Sequence, residues 1–229
     1  MMRRFALAAA MTVFAGCSSG AQYDGPVSDH FDGERFHNDE SFDVGWGDLW
    51  RYYRERQPGE WTRDLTPAGQ PAPPVRVGRG ELVVTVVNHA TVLIQLDGVN
   101  ILTDPIWSDR ASPVQWLGPK RYVAPGLRFD QLPPIDAVLL SHDHYDHLDL
   151  VTLDRLHNRY APTIVTALGN DLILKAHNPN FKISVGDWGD TIELSPSSRV
   201  TLEPMHHWSA RGLGDRRNAL WAAFAVNTP

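Results

Sequence analysis

The sequence predicts an α/β layered (α+β) fold. Three observations predict it: β-branched segments of strand length, short segments with helical apolar spacing set between them, and tight turn signals that separate the two. The strand signals start at residue 81. Glu81 to Val87 is Val-rich and alternates, as a half-buried strand does. Ala90 to Leu96 and Val99 to Leu102 flank Asp97-Gly98, a pair that suits the positive φ angles of a two-residue hairpin turn. Ile135 to Leu140 is a continuous apolar run entered through Pro133-Pro134, which reads as a strand buried on both faces. Asp149 to Arg159 carries Leu150, Leu153 and Leu156 at helical spacing. Thr163 to Ala167 reads as a strand, Asp171 to Ala176 as a short helix, and Thr191 to Leu194, Val200 to Leu202 and Trp221 to Val226 as later strands. No internal repeat is present.

The part before residue 81 reads differently. Met1 to Gly16 has two arginines, the apolar run Phe5 to Phe14, and then small residues, which is the layout of a secretory signal and too short to span a bilayer. Phe14-Ala15-Gly16-Cys17 resembles a bacterial lipoprotein box, with Phe14 where Leu is usual; that resemblance implies lipidation of Cys17 and a lipid-anchored place in the bacterial cell envelope, at the outer membrane or facing the periplasm. Cys17 is the sole cysteine, so no intrachain disulfide can form. Residues 18–80 are rich in Gly, Pro, Asp and Arg, with one plausible helix near Trp46 to Arg56 and a stiff Pro-rich spacer at 67–74, and read as an extension rather than a core. Its tryptophans, Trp46, Trp50 and Trp61, are placed either to cover the domain or to touch a bilayer. The organisation expected is therefore a signal at 1–16, an extension and linker at 17–80, and the folded domain at 81–229.

The bulk numbers exclude some functions. At 229 residues the chain can bury a sizeable core. A formal net charge of −6, with no Lys/Arg cluster in the predicted domain beyond the short runs Lys120-Arg121 and Arg216-Arg217, supplies no groove for a nucleic-acid backbone.

Chemistry concentrates in Ser141-His142-Asp143-His144-Tyr145-Asp146-His147, directly after the predicted buried strand. Three imidazoles and two carboxylates this close need a common partner, because a buried imidazole or carboxylate without one is costly. A metal ion supplies it, and imidazole nitrogen and carboxylate oxygen are ligands that zinc prefers. His142 and His144 can share one centre, while the adjacent Asp146 and His147 point elsewhere as the chain turns into the next helix, so the spacing implies two ions. His30, His37, His157 and His177 lie in loops or at helix ends and read as solvated or locally satisfied.

The HxHxDH run resembles the metal-binding signature of the metallo-β-lactamase superfamily, a four-layer αββα sandwich. Asn88-His89-Ala90-Thr91-Val92-Leu93-Ile94, Leu102-Thr103-Asp104-Pro105-Ile106-Trp107, Ala111-Ser112-Pro113, Gly118-Pro119-Lys120-Arg121 and Leu132-Pro133-Pro134-Ile135-Asp136 are similar to the branch that contains N-acylphosphatidylethanolamine-hydrolysing phospholipase D and its bacterial relatives. The similarity runs over about residues 81–226. It implies a metal-dependent hydrolase with two zinc ions in a complete site. His142, His144 and His207 would bind the first, with His206 the rival to His207 in Met205-His206-His207-Trp208, and Asp146 and His147 would bind the second. For His89 and Asp104 a hydrogen bond within a turn or behind the ligands is expected rather than direct ligation.

The mechanism implied is attack by a metal-bound hydroxide, with Asp146 accepting a proton, on a phosphodiester such as an N-acylphosphatidylethanolamine-like phospholipid; a lactone or amide is the alternative electrophile. The resemblance also implies a bridging aspartate and a final histidine beyond Val226, which the chain does not supply before Pro229. The chain therefore reads as truncated, covering the N-terminal half to two-thirds of the sandwich. Two alternatives follow: a non-catalytic zinc-binding lipoprotein of the same fold, or a single-zinc enzyme that uses His142, His144 and His207.

Overall fold

The computed structural model describes residues 22–39, 45–60 and 70–228. The signal-like segment, Cys17, Trp61 and the first part of the Pro-rich spacer lie outside the described residues. Helix α1 (Trp46–Glu55) forms where the sequence reading set it. Nine strands and two more helices follow: β1 (Leu82–Asn88), β2 (Thr91–Leu96), β3 (Val99–Thr103), β4 (Ala137–Leu140), α2 (Leu150–Tyr160), β5 (Thr163–Ala167), α3 (Asn170–His177), β6 (Lys182–Gly186), β7 (Thr191–Ser195), β8 (Ser198–Glu203) and β9 (Ala223–Asn227).

They build two sheets. The larger has the order β1-β2-β3-β4-β5-β6, antiparallel through β3 and parallel from β3 onward; the smaller is the antiparallel set β7-β8-β9. The β2–β3 hairpin turns at Asp97 and Gly98, both at positive φ, as the Asp-Gly pair requires.

All four residues of β4 are buried, and the pleat sorts them. Val138 and Leu140 join Leu153 and Leu156 of α2 and Leu174 of α3 in one core; Ala137 and Leu139 join Val200 and Leu202 of β8 in the other. Thr163 to Ala167 divides in the same way, Ile164 to the helix side and Val165 and Ala167 to the sheet side. The result is helix on sheet on sheet, three layers of the predicted four, among the described residues. Asp149 caps α2 by accepting from the Thr152 backbone N–H, and its carboxylate also accepts from the backbone N–H groups of Trp107 and Ser108, which fastens the loop after β3.

Two expectations need correction. The sequence places residues 18–80 outside the core, yet Phe31 and Phe36 are fully buried between the sheets beside Trp221, and Tyr23 packs edge-on against Phe31. In a Gly- and Asp-rich stretch no periodicity marks them, and the face that they cover exists only once the two sheets meet. His30 is likewise buried rather than solvated: Asp29 beside it in the chain satisfies Nδ1 at 2.6 Å, as a local partner would, but Nε2 lies 2.7 Å from the distant Asp187, and the ring stacks on Trp188. Strand β6 is absent from the sequence reading; in Lys182 to Gly186 only Ile183 and Val185 alternate, too short a signal to mark a strand, and parallel pairing to β5 decides its conformation. In α1, Trp50, Tyr52 and Tyr53 are exposed. Among the described residues no helix is long and apolar enough to cross a membrane.

Candidate metal centre

The site gathers at the carboxyl ends of the strands of the larger sheet, where ligands of α/β sheets are usually bound. β4 delivers Ser141 to His147, β3 delivers Asp104, the β1–β2 turn delivers His89, and the connection from β8 to β9 delivers His207. Backbone pairing joins the sheets here: the Ala222 N–H donates to the Ser141 carbonyl.

Three ring nitrogens converge in the first group. His142 Nε2 lies 2.8 Å from His144 Nδ1 and 3.1 Å from His207 Nε2, and His207 Nε2 lies 3.3 Å from His144 Nδ1. Nitrogens that share a tetrahedral ion at about 2.1 Å lie about 3.4 Å apart, so this triangle is of the right size, slightly contracted. His207, not His206, points into it; His206 is exposed. Burial, reinforced by the neighbouring imidazoles, lowers His142 to about 2 and His144 to about 4, and burial first also lowers His207. The rings are therefore neutral near pH 7 and present lone pairs to one another, an arrangement that a cation relieves.

The tautomer of His142 follows from its neighbours. Asp104 accepts from the Ser141 backbone N–H at 2.8 Å and from Ser141 Oγ at 2.7 Å. A hydroxyl that donates to the carboxylate must accept from His142 Nδ1, 2.8 Å away, which leaves the lone pair of Nε2 aimed at the triangle. The same carboxylate lies 2.9 Å from His147 Nδ1 and so frees His147 Nε2. Burial opposes a charge on His147, but the hydrogen bond to Asp104 and the charges of Asp104 and Asp146 outweigh it, and its pKa is raised. Asp104 thus acts from behind the ligands, as the sequence suggested, and it does so from a positive φ of 34° just before Pro105, an outlier of the kind that clusters at functional sites.

The second group is His89, Asp146 and His147. Asp146 Oδ2 lies 2.9 Å from His89 Nε2 and 3.6 Å from His147 Nε2. Among the described residues, this group and the three-histidine group are the two sets whose ligand atoms lie close enough to hold an ion, within 4.8 Å of one another. The groups abut, with the His142 and His147 rings 4.1 Å apart. The structure therefore brings together His142, His144, His207, Asp146 and His147. It leaves out the other carboxylate of the motif: Asp143 is buried away from both groups, and burial raises its pKa to about 7 against the opposing charge of Arg211.

Two supports escaped the sequence. Asn38 Nδ2 donates to the His207 carbonyl at 3.0 Å, and the His207 N–H donates to Asn38 Oδ1 at 3.1 Å, so the N-terminal segment holds the backbone of His207 on both sides. Arg211 stacks over the Tyr145 ring and donates to the carbonyls of Asp143 and Leu148, tying the His207 loop to the HxHxDH loop. Neither residue belongs to a spacing pattern that could have announced it. Beside the two groups opens a cleft of about 850 Å³, lined by Val86, Ile106, Tyr122, Val123 and Trp208 and by Lys120.

Comparison with known proteins agrees with this geometry. Residues 99–229, more than half of the chain, match the family described as the beta-lactamase superfamily domain. An uncharacterized protein of Mycobacterium tuberculosis is 36% identical over 171 residues, covering 71% of this chain and 45% of that protein. An N-acyl-phosphatidylethanolamine-hydrolyzing phospholipase D of Caenorhabditis elegans is 35% identical over 63% of this chain and 43% of its own length. A metal-dependent hydrolase of Anaeromyxobacter is 28% identical over 63% of this chain and 48% of its length. The chain thus spans less than half the length of these curated relatives. An isothiocyanate hydrolase from Delia radicum gut bacteria aligns with a TM-score of 0.49 and 21% identity over 64% of this chain and 58% of that one. By its sequence match over residues 99–229 and by the mixed α/β layers that carry its HxHxDH loop, the chain belongs to the beta-lactamase superfamily.

Proposed function

We propose that this chain carries the metal-binding core of a metal-dependent hydrolase that takes two zinc ions and acts on a phosphodiester. The observation that carries the reading is the abutting pair of ligand groups, one of three neutral imidazoles and one containing Asp146 and His147. His142, His144 and His207 hold the first ion; Asp146 and His147 hold the second. Zinc bound there supplies Lewis acidity and makes a water available as nucleophile near neutral pH.

The chain's own residues do the rest. Asp104 keeps the proton of His147 on Nδ1 and, through Ser141, that of His142 on Nδ1, so that both Nε2 lone pairs stay available. Asp146 is a half-exposed carboxylate that both lines the cleft and belongs to the second ligand group, and it would receive the proton that the attacking water gives up. The mostly apolar walls suit an acyl chain, and Lys120 suits a phosphate, so an N-acylphosphatidylethanolamine-like phospholipid fits the cleft's chemistry. The Caenorhabditis elegans relative is named for hydrolysis of such a lipid. We also infer that lipid attached to Cys17 anchors the protein at the bacterial cell envelope, with Cys17→Ser expected to release it into the soluble fraction.

Metal content by mass spectrometry, beside hydrolysis of bis(p-nitrophenyl) phosphate, tests the reading. Two zinc ions per chain, with turnover lost in His142→Ala and Asp146→Ala, is the expected result. A chain that takes up no metal would sink it. Zinc without turnover would instead identify a non-catalytic zinc-binding protein, and turnover of lactones or amides alone would move the attack to carbon.

A further inference from the structure

We propose that His89 is itself a ligand of the second ion, completing a His89–Asp146–His147 site. This goes beyond the two residues that the HxHxDH motif supplies there, and it rests on the metal-dependent reading above.

His89 is one of two residues in the turn between β1 and β2, and its backbone sits at a positive φ of 35°, a conformation that a side chain with a Cβ rarely adopts. A register shift between Val86 and Asn88 precedes it and turns the end of the strand. The turn is then held from three sides. Asn88 Nδ2 donates to the Ile106 carbonyl at 3.1 Å, Thr103 Oγ1 donates to the Ala90 carbonyl at 2.6 Å, and Thr91 Oγ1 donates to the Asp104 carbonyl at 2.7 Å. All three bonds run to the end of β3 or the loop beyond it, the same stretch that provides Asp104. The strained turn and the ligand-orienting carboxylate are therefore one framework, and His89 is placed by it rather than left at a free loop tip.

That framework aims the imidazole at the second group. His89 Nε2 lies 2.9 Å from Asp146 Oδ2, and one ligand atom from each of His89, Asp146 and His147 falls within 4.8 Å of the others. His147 is turned correctly for the purpose because Asp104 occupies its Nδ1. Two imidazoles and a carboxylate that leave positions open to water form a set suited to a divalent, zinc-like cation. The competing role is a hydrogen bond from His89 that only orients Asp146, and chemistry separates the two. A glutamine can donate to the carboxylate from nearly the same place but cannot replace an imidazole as a zinc ligand.

The test loads the whole chain with zinc after chelation and counts ions at equilibrium in wild type, His89→Ala and His89→Gln. Wild type is expected to hold two ions. Both variants are expected to keep the three-histidine ion, which also reports that they fold, and to bind the other at least about 100-fold more weakly. Zinc X-ray absorption on wild type adds a reading that needs no variant: five imidazoles shared by two ions if His89 ligates, four if it does not. Retention of the second ion by His89→Gln, or a wild-type count of four imidazoles, overturns the proposal while leaving the two-metal reading intact. A wild type that binds one ion overturns it and leaves a single-metal hydrolase, and a wild type that binds none overturns both.

Discussion

His142, His144 and His207 meet from two different sheets in a largely buried triangle, whereas His89, Asp146 and His147 meet at the solvent edge of one sheet, with about half of the His89 and Asp146 side chains exposed. The first group is made neutral chiefly by burial, reinforced by the neighbouring imidazoles. The second depends on charge, because Asp104 and Asp146 draw a proton onto His147 that an incoming ion must displace. One superfamily motif thus supplies side chains to two candidate ion sites of different polarity. The difference teaches that the residue types in the motif do not decide how each group would hold an ion; the groups behind them do.

The largest effect that would break this contrast is loss of the buried triangle. His207→Ala is expected to weaken the three-histidine ion by at least about a hundredfold, since each ligand carries a substantial share of a site worth roughly 10 kcal/mol or more, and zinc counting by mass spectrometry checks it. Equal loss from both groups would show that they are one site and not two. Asp104→Asn comes next. It removes the charged acceptor shared by Ser141 and His147, so the second ion should bind about 10- to 100-fold more weakly. Thermal unfolding of the metal-free protein should show about 1–3 kcal/mol of lost stability.

Asn38→Ala sharpens the comparison from the other side. Only the three-histidine group leans on Asn38, so its ion alone should weaken, by about tenfold, with the second unchanged in the same titration. A smaller effect is that of pH. His147 has a raised pKa and stays protonated at and below its ordinary 6.5, so proton competition weakens the second ion by up to about tenfold per pH unit as the pH falls through that raised value. His142 and His144, lowered to about 2 and about 4, impose no such competition until far more acid conditions. Metal titrations at about pH 7.5 and pH 6 should therefore lower the second affinity first; parallel decline in both would refute the charge-based account of the second group.

Much of the fold was legible because its signals are local. The Asp97-Gly98 turn, the apolar run into β4 and the leucine spacing of α2 each constrain a few adjacent residues, and each element formed within a residue or two of its expected bounds. The HxHxDH loop was legible for the same reason. Phe31 and Phe36 were not, since nothing beside them in the chain says that a pair of sheets will offer an apolar seam. Asn38 was opaque for a similar cause: its bonds go to a backbone 169 positions away, and a backbone has no sequence.

By itself, then, the sequence determined the strand and helix order apart from β6 and the loop of imidazoles and carboxylates at the end of β4, while the family resemblance implied the histidine before Trp208 that would join it. The element order and the loop follow from periodicity and from the chemical scarcity of such a cluster; the histidine follows from the resemblance alone. Only the tertiary structure decided which nitrogen of each ring faces inward, that Asp143 turns away, which groups Asp104 pairs with, that Asn38 stands behind His207, and that the β1–β2 turn carries His89 to Asp146. Orientation is set by partners brought from distant strands, and strand pairing is settled by burial summed over the whole sheet rather than by any one segment.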